Sequence, residues 1–293
     1  MTTICSIVVG TDFSAGSDAA VERALQLALA HGASLRLLHA FDVSFRRSLR
    51  GVFDSPRFTT EVPPDVQTQQ RLNDMAQALA ARTGLGVQAR FSIDTAENAI
   101  SAYVAAHETS LVVLGSRADL AVPGLGGTAS KALRSPVCPI LVVREPEGRP
   151  YDQILSALEL DDASMRVLEC AFSLFPTARH HMLHALDPAR ERALWLDGLT
   201  QEPVELLHQS MQTQAVQELE RLTRAVSRGA AHRVVHEVVG DVPARAVVER
   251  AVALPANCVV VGYGGADRVI ERQLGSIPQH VLQHGGRDVL VVP

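Results

Sequence analysis

The chain has 293 residues, 47% of them hydrophobic and 20% charged, with a net charge of −5. That is the composition of an ordinary globular protein, and its mild negative charge excludes the basic field that draws nucleic acid or an anionic membrane. No apolar run approaches the ~18 residues of a membrane span, and the N-terminus lacks the basic and long apolar regions of a signal peptide, so a cytoplasmic location is expected. The four cysteines (Cys5, Cys138, Cys170, Cys258) sit in or beside apolar runs without C-x-x-C spacing, which predicts small buried core residues rather than metal or disulfide roles.

The first element is an apolar strand at 4–10, followed by a helix over 14–31 with Ala20, Ala24, Leu27 and Ala28 at helical spacing. Ser14 or Ser17 is its expected cap. A strand at 35–41 leads into a Pro- and Gly-bearing loop at 43–63, where Arg46, Arg47, Arg50 and Arg57 form a local basic cluster, read as a solvated loop. A helix over 65–83 closes at Gly84; then come a strand at 87–93, a helix at 95–107, a strand at 111–115, a short helix at 128–134 and a strand at 140–144. After the polar segment EPEGRP (145–150) the order repeats. Strands fall near 153–158, 180–186, 233–239, 257–262 and 288–292, and helices near 162–174, 204–228, 243–253 and 276–284.

The repetition extends to residues. IVVGTD at 7–12 returns as ILSALE at 154–159, LLHAFD ending at Asp42 as MLHALD ending at Asp187, and LVVLG ending at Gly115 as VVVG ending at Gly262. An offset this constant predicts two copies of one domain, at 1–146 and 150–293. Strictly alternating strands and helices make each copy a doubly wound α/β domain, a five-stranded parallel sheet with helices on both faces. Ligands of such sheets sit at the carboxyl ends of the strands, by the topological switch. The short linker should keep the halves packed together.

In the second copy the fourth strand runs into GYGGADRVIERQLGSI, giving G-x2-G-x9-G-S through Gly262, Gly265, Gly275 and Ser276. Glycines at a strand end admit a sugar and phosphate close to the backbone. Gly275, Ser276 and Ile277 open a helix, whose N–H groups and dipole favour an anion. Arg268 and Arg272 lie between them. This constellation resembles the nucleotide-binding universal stress proteins, and the resemblance covers the whole chain as a tandem of two domains. IVVGTDFS (7–14), LHAFD (38–42), VGDVPARAV (239–247) and CPILVVR (138–144) support it.

The resemblance implies an adenine nucleotide alpha-hydrolase-like fold and ATP or a related adenine nucleotide, with or without Mg, as a regulatory ligand of a stress response. It implies a second-half site of Ala157, Glu159, Ala185, Gly262, Gly265, Gly275, Ser276 and Ile277. The base would meet the ends of the first two strands, the ribose the first two glycines, and the phosphates the Gly-Ser pair. Glu159 replaces the family's aspartate. The first half keeps Asp12, with Ala40, Gly115, Gly127 and Thr128, but reads GSRADLAVPGLGGT: Ala118 stands for the second glycine and the span to Gly127 is one residue short. The second half is therefore the preferred site. The family also pairs the final strands of two domains, implying an internal pseudo-dimer, with a further dimer of chains left open. A non-nucleotide interaction module and a slow ATP hydrolase are the alternatives.

Other candidates read as structural. GLGGTA (124–129) fits a dinucleotide fingerprint but follows Pro123 rather than a strand. His180 and His184 share a strand face while His181 points away, so they do not converge on a metal. His39 and His184 occupy equivalent places, Asp94 and Asp241 read as N-caps, and Asp161 and Asp162 start a helix. No nucleophile–base–acid set is apparent, so no catalytic or metal-ligating residue is expected.

Overall fold

The computed structural model describes residues 3–42, 63–116, 127–134, 136–144, 149–189, 201–227, 233–264 and 274–293. The first half contains β1 (Ser6–Gly10), α1 (Ala15–His31), β2 (Ser34–Ala40), α2 (Pro64–Thr83), β3 (Val87–Ser92), α3 (Ala96–Ala106), β4 (Leu111–Gly115), α4 (Gly127–Ala132) and β5 (Ile140–Val143). The second contains β6 (Gln153–Ala157), α5 (Ala163–Leu174), β7 (Arg179–Leu186), α6 (Gln201–Val226), β8 (Val234–Gly240), α7 (Pro243–Ala253), β9 (Cys258–Gly262), α8 (Ser276–His284) and β10 (Asp288–Val292). The expected elements are all present, with ends shifted by a few residues. The expected loops at 43–63 and 187–203 fall largely outside the described residues, with Arg46, Arg47, Arg50 and Arg57.

Strands β1, β4, β5, β6, β9 and β10 are near-continuous apolar runs because both their faces are covered. Helices α1, α2, α5 and α6 supply one core layer, and α3, α4, α7 and α8 the other. Helix α1 shows how the pattern works. Ala20, Val21, Ala24, Leu27 and Ala28 are buried at helical spacing. The Ser14 hydroxyl accepts from the Ser17 N–H at its start, and Gly32 ends it at φ 63.

The ten strands form one sheet in the order β3-β2-β1-β4-β5-β10-β9-β6-β7-β8. Pairing is parallel within each half and antiparallel between β5 and β10, where Val289, Leu290 and Val291 face Val142, Leu141 and Ile140. The two expected five-stranded sheets are thus one continuous surface. In each half the chain winds outward from its first strand and then jumps to the other side. The switch falls between β1 and β4, and between β6 and β9.

A buried polar cluster closes the seam beside the linker. Asp288 is fully buried at the start of β10. Its Oδ1 accepts from the Arg144 N–H at 2.7 Å and its Oδ2 from the Tyr151 hydroxyl at 2.6 Å. Arg23 of α1 lies with Nε 3.7 Å from Oδ2, stacks on the Tyr151 ring at 4.0 Å and donates to the Arg149 carbonyl at 2.6 Å. The Arg144 guanidinium donates to the Leu282 carbonyl of α8. Burial lowers the Arg144 pKa, and Asp288 opposes that shift. Removing one member of a buried pair leaves its partner uncompensated. Asp288→Ala is therefore expected to lower unfolding free energy by about 3–5 kcal/mol in urea titrations, and a loss under ~1 kcal/mol would show the cluster to be dispensable.

Candidate functional site

The chain leaves the first strand of both halves by the same unusual turn. Phe13 has φ 61 and its counterpart Leu160 has φ 57, left-handed values that bulky residues seldom adopt. A histidine of the neighbouring strand braces each turn. His39 Nδ1 donates to the Thr11 carbonyl at 2.7 Å, and His184 Nδ1 to the Leu158 carbonyl at 2.8 Å. A carbonyl only accepts, so both rings carry their proton on Nδ1. Burial lowers the His39 pKa, which favours that neutral form. The shared place expected for these histidines is a structural brace.

Beyond the turn the halves diverge. In the second, a shallow cleft lies between the ends of β6 and β9 and the starts of α5 and α8. Ala157, Glu159, Gly262 and Ile277 line it, joined by Leu158, Asp161, Ala163, Ser164, Val167, Val261, Gly264 and Pro278. Ala185 does not line it, and Gly275 and Ser276 stand at its edge, immediately before Ile277. Gly265, Arg268 and Arg272 lie outside the described residues. Among the described residues, a Cβ on Gly262 would meet Val167 Cγ2 at 3.5 Å and nothing else within 4 Å.

Among the described residues the first half is tighter at the equivalent point. A Cβ on Gly115 would stand 2.2 Å from the Gly16 carbonyl oxygen, and one on Gly16 would stand 2.4 Å from that of Ser116. The start of α1 therefore lies directly against the end of β4. Ala163 replaces Gly16 in the second half. A Cβ at that position does not permit the approach that Gly16 makes in the first half. Gly127 and Thr128 begin the six-residue helix α4, while Ala40 ends β2. Ala118 and the GLGGTA segment up to Gly126 lie outside the described residues.

The acidic residues are engaged locally. Asp12 Oδ1 accepts from the Ser14 N–H at 3.1 Å and from its hydroxyl. Desolvation pushes the Asp12 carboxyl up, and the hydrogen bonds from Ser14 and Ser17 outweigh it, leaving the pKa lowered. Asp161 Oδ1 accepts from the N–H groups of Ala163 and Ser164 at 3.0 and 3.1 Å, while its own N–H donates to Ser164 Oγ at 3.2 Å. This reciprocal cap satisfies the start of α5. Helix α8 differs, because Gly275 caps it with no side-chain bond. The expectation of three donors there needs correction. The Gly275 N–H is already given to the Tyr263 carbonyl at 2.9 Å, and Pro278 has none to give. Ser276 and Ile277 supply the N–H groups of this first turn, beside the Ser276 hydroxyl.

Two further expectations are corrected. Thr95, not Asp94, caps α3, and Val242 stands at the cap of α7. Asp94 and Asp241 instead accept from the next residue's N–H, one place before the cap, which orders the loop. Cys5 is exposed because β1 begins after it, whereas Cys138, Cys170 and Cys258 are buried. The histidines of β7 do diverge. His180 stacks on Phe172 at 3.9 Å and donates Nε2–H to the Phe175 carbonyl at 3.0 Å, while His181 donates to Glu237 at 2.6 Å. Among the described residues no group of three His, Cys, Asp or Glu side chains could hold a metal ion.

Two outcomes follow from this geometry. Gly115→Ala should destabilise the fold by several kcal/mol, on the order of an overpacked core site or more, whereas Gly262→Ala should melt close to the parent in calorimetry. Similar melting of both variants would contradict the asymmetry. Burial lowers the His180 pKa to about 4. An unfolded histidine takes up its proton near 6.5, so stability should be full above that pH and fall toward pH 4 by on the order of 3 kcal/mol. His180→Gln should flatten that part of a pH–stability curve.

Comparison with known proteins agrees with this architecture. The model of the universal stress protein family matches residues 5–144 and again 150–293. A universal stress protein from Archaeoglobus fulgidus superposes with a TM-score of 0.68 at 16% identity, covering 99% of each chain. A putative universal stress protein from Pseudomonas aeruginosa gives 0.67 at 18%, over 99% of this chain and 93% of that one. A functionally unknown protein from the same species gives 0.65 at 18%, over 99% and 92%. No curated protein matches the chain. At such identities the structures show the fold alone, while the family model covers both halves: the chain belongs to the universal stress protein family, with two of its domains in tandem.

Proposed function

We propose that this protein binds ATP or a related adenine nucleotide at one site, in its second half, and uses it as a regulatory ligand in a stress response. One observation carries the reading. A cleft between β6 and β9 lies at the topological switch, while among the described residues Gly16 packs against Gly115 at the equivalent point of the first half. Gly262 and Gly264 would let the sugar approach the backbone. Ser276 and Ile277 would receive phosphate at the start of α8, favoured by the helix dipole. Glu159, at the cleft wall, would face the base. Mg²⁺ would enter with the nucleotide, held by its phosphate oxygens. On this reading 1–146 is a structural and regulatory domain and 150–293 the binding domain, with Asp12, Ala40, Gly127 and Thr128 holding no ligand.

The cleft suits binding better than turnover. Asp161 and Ser164 are hydrogen-bonded to each other and to the start of α5, so neither is poised as a base. A first turn of α8 with two backbone donors, Ser276 and Ile277, also favours a second reading, an interaction module that needs no nucleotide. Calorimetry on folded variants separates the two. Gly275→Val should abolish ATP binding, because a Cβ there would lie 3.2 Å from Gly264 Cα and reshape the cleft edge. Gly127→Val should retain it. Binding lost only in the Gly127 variant would reverse the choice of half, and no binding by the parent protein would favour the interaction module. Steady-state phosphate release should stay well below ~1 s⁻¹; ordinary enzymatic turnover abolished by Gly275→Val would make the protein a hydrolase.

A further inference from the structure

The ladder between β5 and β10 does not itself say which strands belong together. It is symmetric about Leu141 and Leu290, with ILVV on one side and VLVV on the other. The same register is open to β10 against β10 of a second chain, or to β5 against β5. Aliphatic side chains of similar size would pack in all three arrangements. An exposed apolar edge strand of this kind would pair promiscuously.

The polar cluster is not symmetric. The internal repeat puts Pro139 where the second half has Asp288, and Pro293 at the counterpart of Arg144. Cys170 stands for Arg23, and Ile4 for Tyr151. In a β10–β10 pair two Asp288 carboxylates would be buried. Each would keep Tyr151, but proline would replace the N–H that Arg144 donates at 2.7 Å, and Cys170 would replace the guanidinium of Arg23. In a β5–β5 pair two copies of Arg23, only 3% exposed in the observed seam, would face Pro139 with no carboxylate between them. Either arrangement buries uncompensated charge, and only first half against second half sets the Arg23 guanidinium and the Arg144 N–H against the Asp288 carboxylate.

We propose that Asp288, Arg23, Arg144 and Tyr151 form a pairing code, so that the seam accepts the other half of this chain and rejects the identical strand of a second copy. Chains that associate do so through another surface, or by reciprocal exchange of whole halves. Buried polar groups elsewhere fix register and partner in this way, at some cost in stability.

The test uses the whole protein carrying a specific protease site within 145–148, cut after folding. Isotope-labelled and unlabelled nicked protein are mixed, unfolded together, refolded and weighed by native mass spectrometry. The label should scramble fully, while same-half pairs stay at least ~100-fold rarer than mixed pairs. A statistical mixture of first–first, first–second and second–second pairs would overturn the code. Where refolding is incomplete, label exchange between native nicked molecules just below the unfolding transition gives the same readout. The double variant Arg23→Met with Asp288→Val should then yield second–second pairs in amounts comparable to mixed ones. Strictly mixed pairing by that variant would place the specificity outside the cluster and equally overturn the proposal.

Discussion

The antiparallel ladder between β5 and β10 is the contact on which the rest of the molecule depends. It turns two five-stranded sheets into one of ten strands, and both helical layers run across it. It removes the two edges that would otherwise be the most apolar in the protein, leaving β3 and β8, with their more exposed residues, at the rims. The short connection between halves raises their effective concentration for one another. Asp288 then makes the contact directional, because a buried carboxylate demands partners that only one arrangement supplies.

Duplication under this constraint explains the division between the halves. Both keep the left-handed turn after the first strand and the histidine that braces it, so these belong to the common frame. Strain at such a turn persists only where its surroundings hold it. What differs lies at the mouth of the switch. Gly16 lets α1 settle onto Gly115, whereas the second half has Ala163 in that place and a Cβ on Gly262 would meet Val167 of α5 at ordinary contact distance. The first half contributes Arg23 and Arg144 to the seam.

Much of this was legible in the sequence, because it is written in local patterns. The repeat of IVVGTD as ILSALE and the alternation of strand and helix announce two doubly wound domains. The cap by Ser14, the stop at Gly84 and the start of α8 at Gly275 follow from residue chemistry at element ends. The equivalent histidines could be read as a shared structural place from their positions alone. Contacts between distant segments were not legible. Nothing in the motif around Gly115 signals that Gly16 will touch it, although Gly16 against Ala163 in the repeat was an available hint. Asp288 looks like any acid before a strand until Arg23, Tyr151 and Arg144 are brought around it. The N–H of Gly275 appeared open because its acceptor, the Tyr263 carbonyl, lies twelve residues back across the glycine loop.

The central claim is that one cleft, in the second half, receives the nucleotide. Amide chemical-shift mapping of the isotope-labelled protein during ATP titration tests it most directly, since it locates the ligand without altering a residue. The account predicts saturable shifts concentrated at residues 157–164, 261–264 and 274–277, with the Thr11–Ser17 turn and the Gly115–Ser116 strand end unmoved. Shifts centred on that first-half turn and strand end, or no saturable shifts at all, would contradict it.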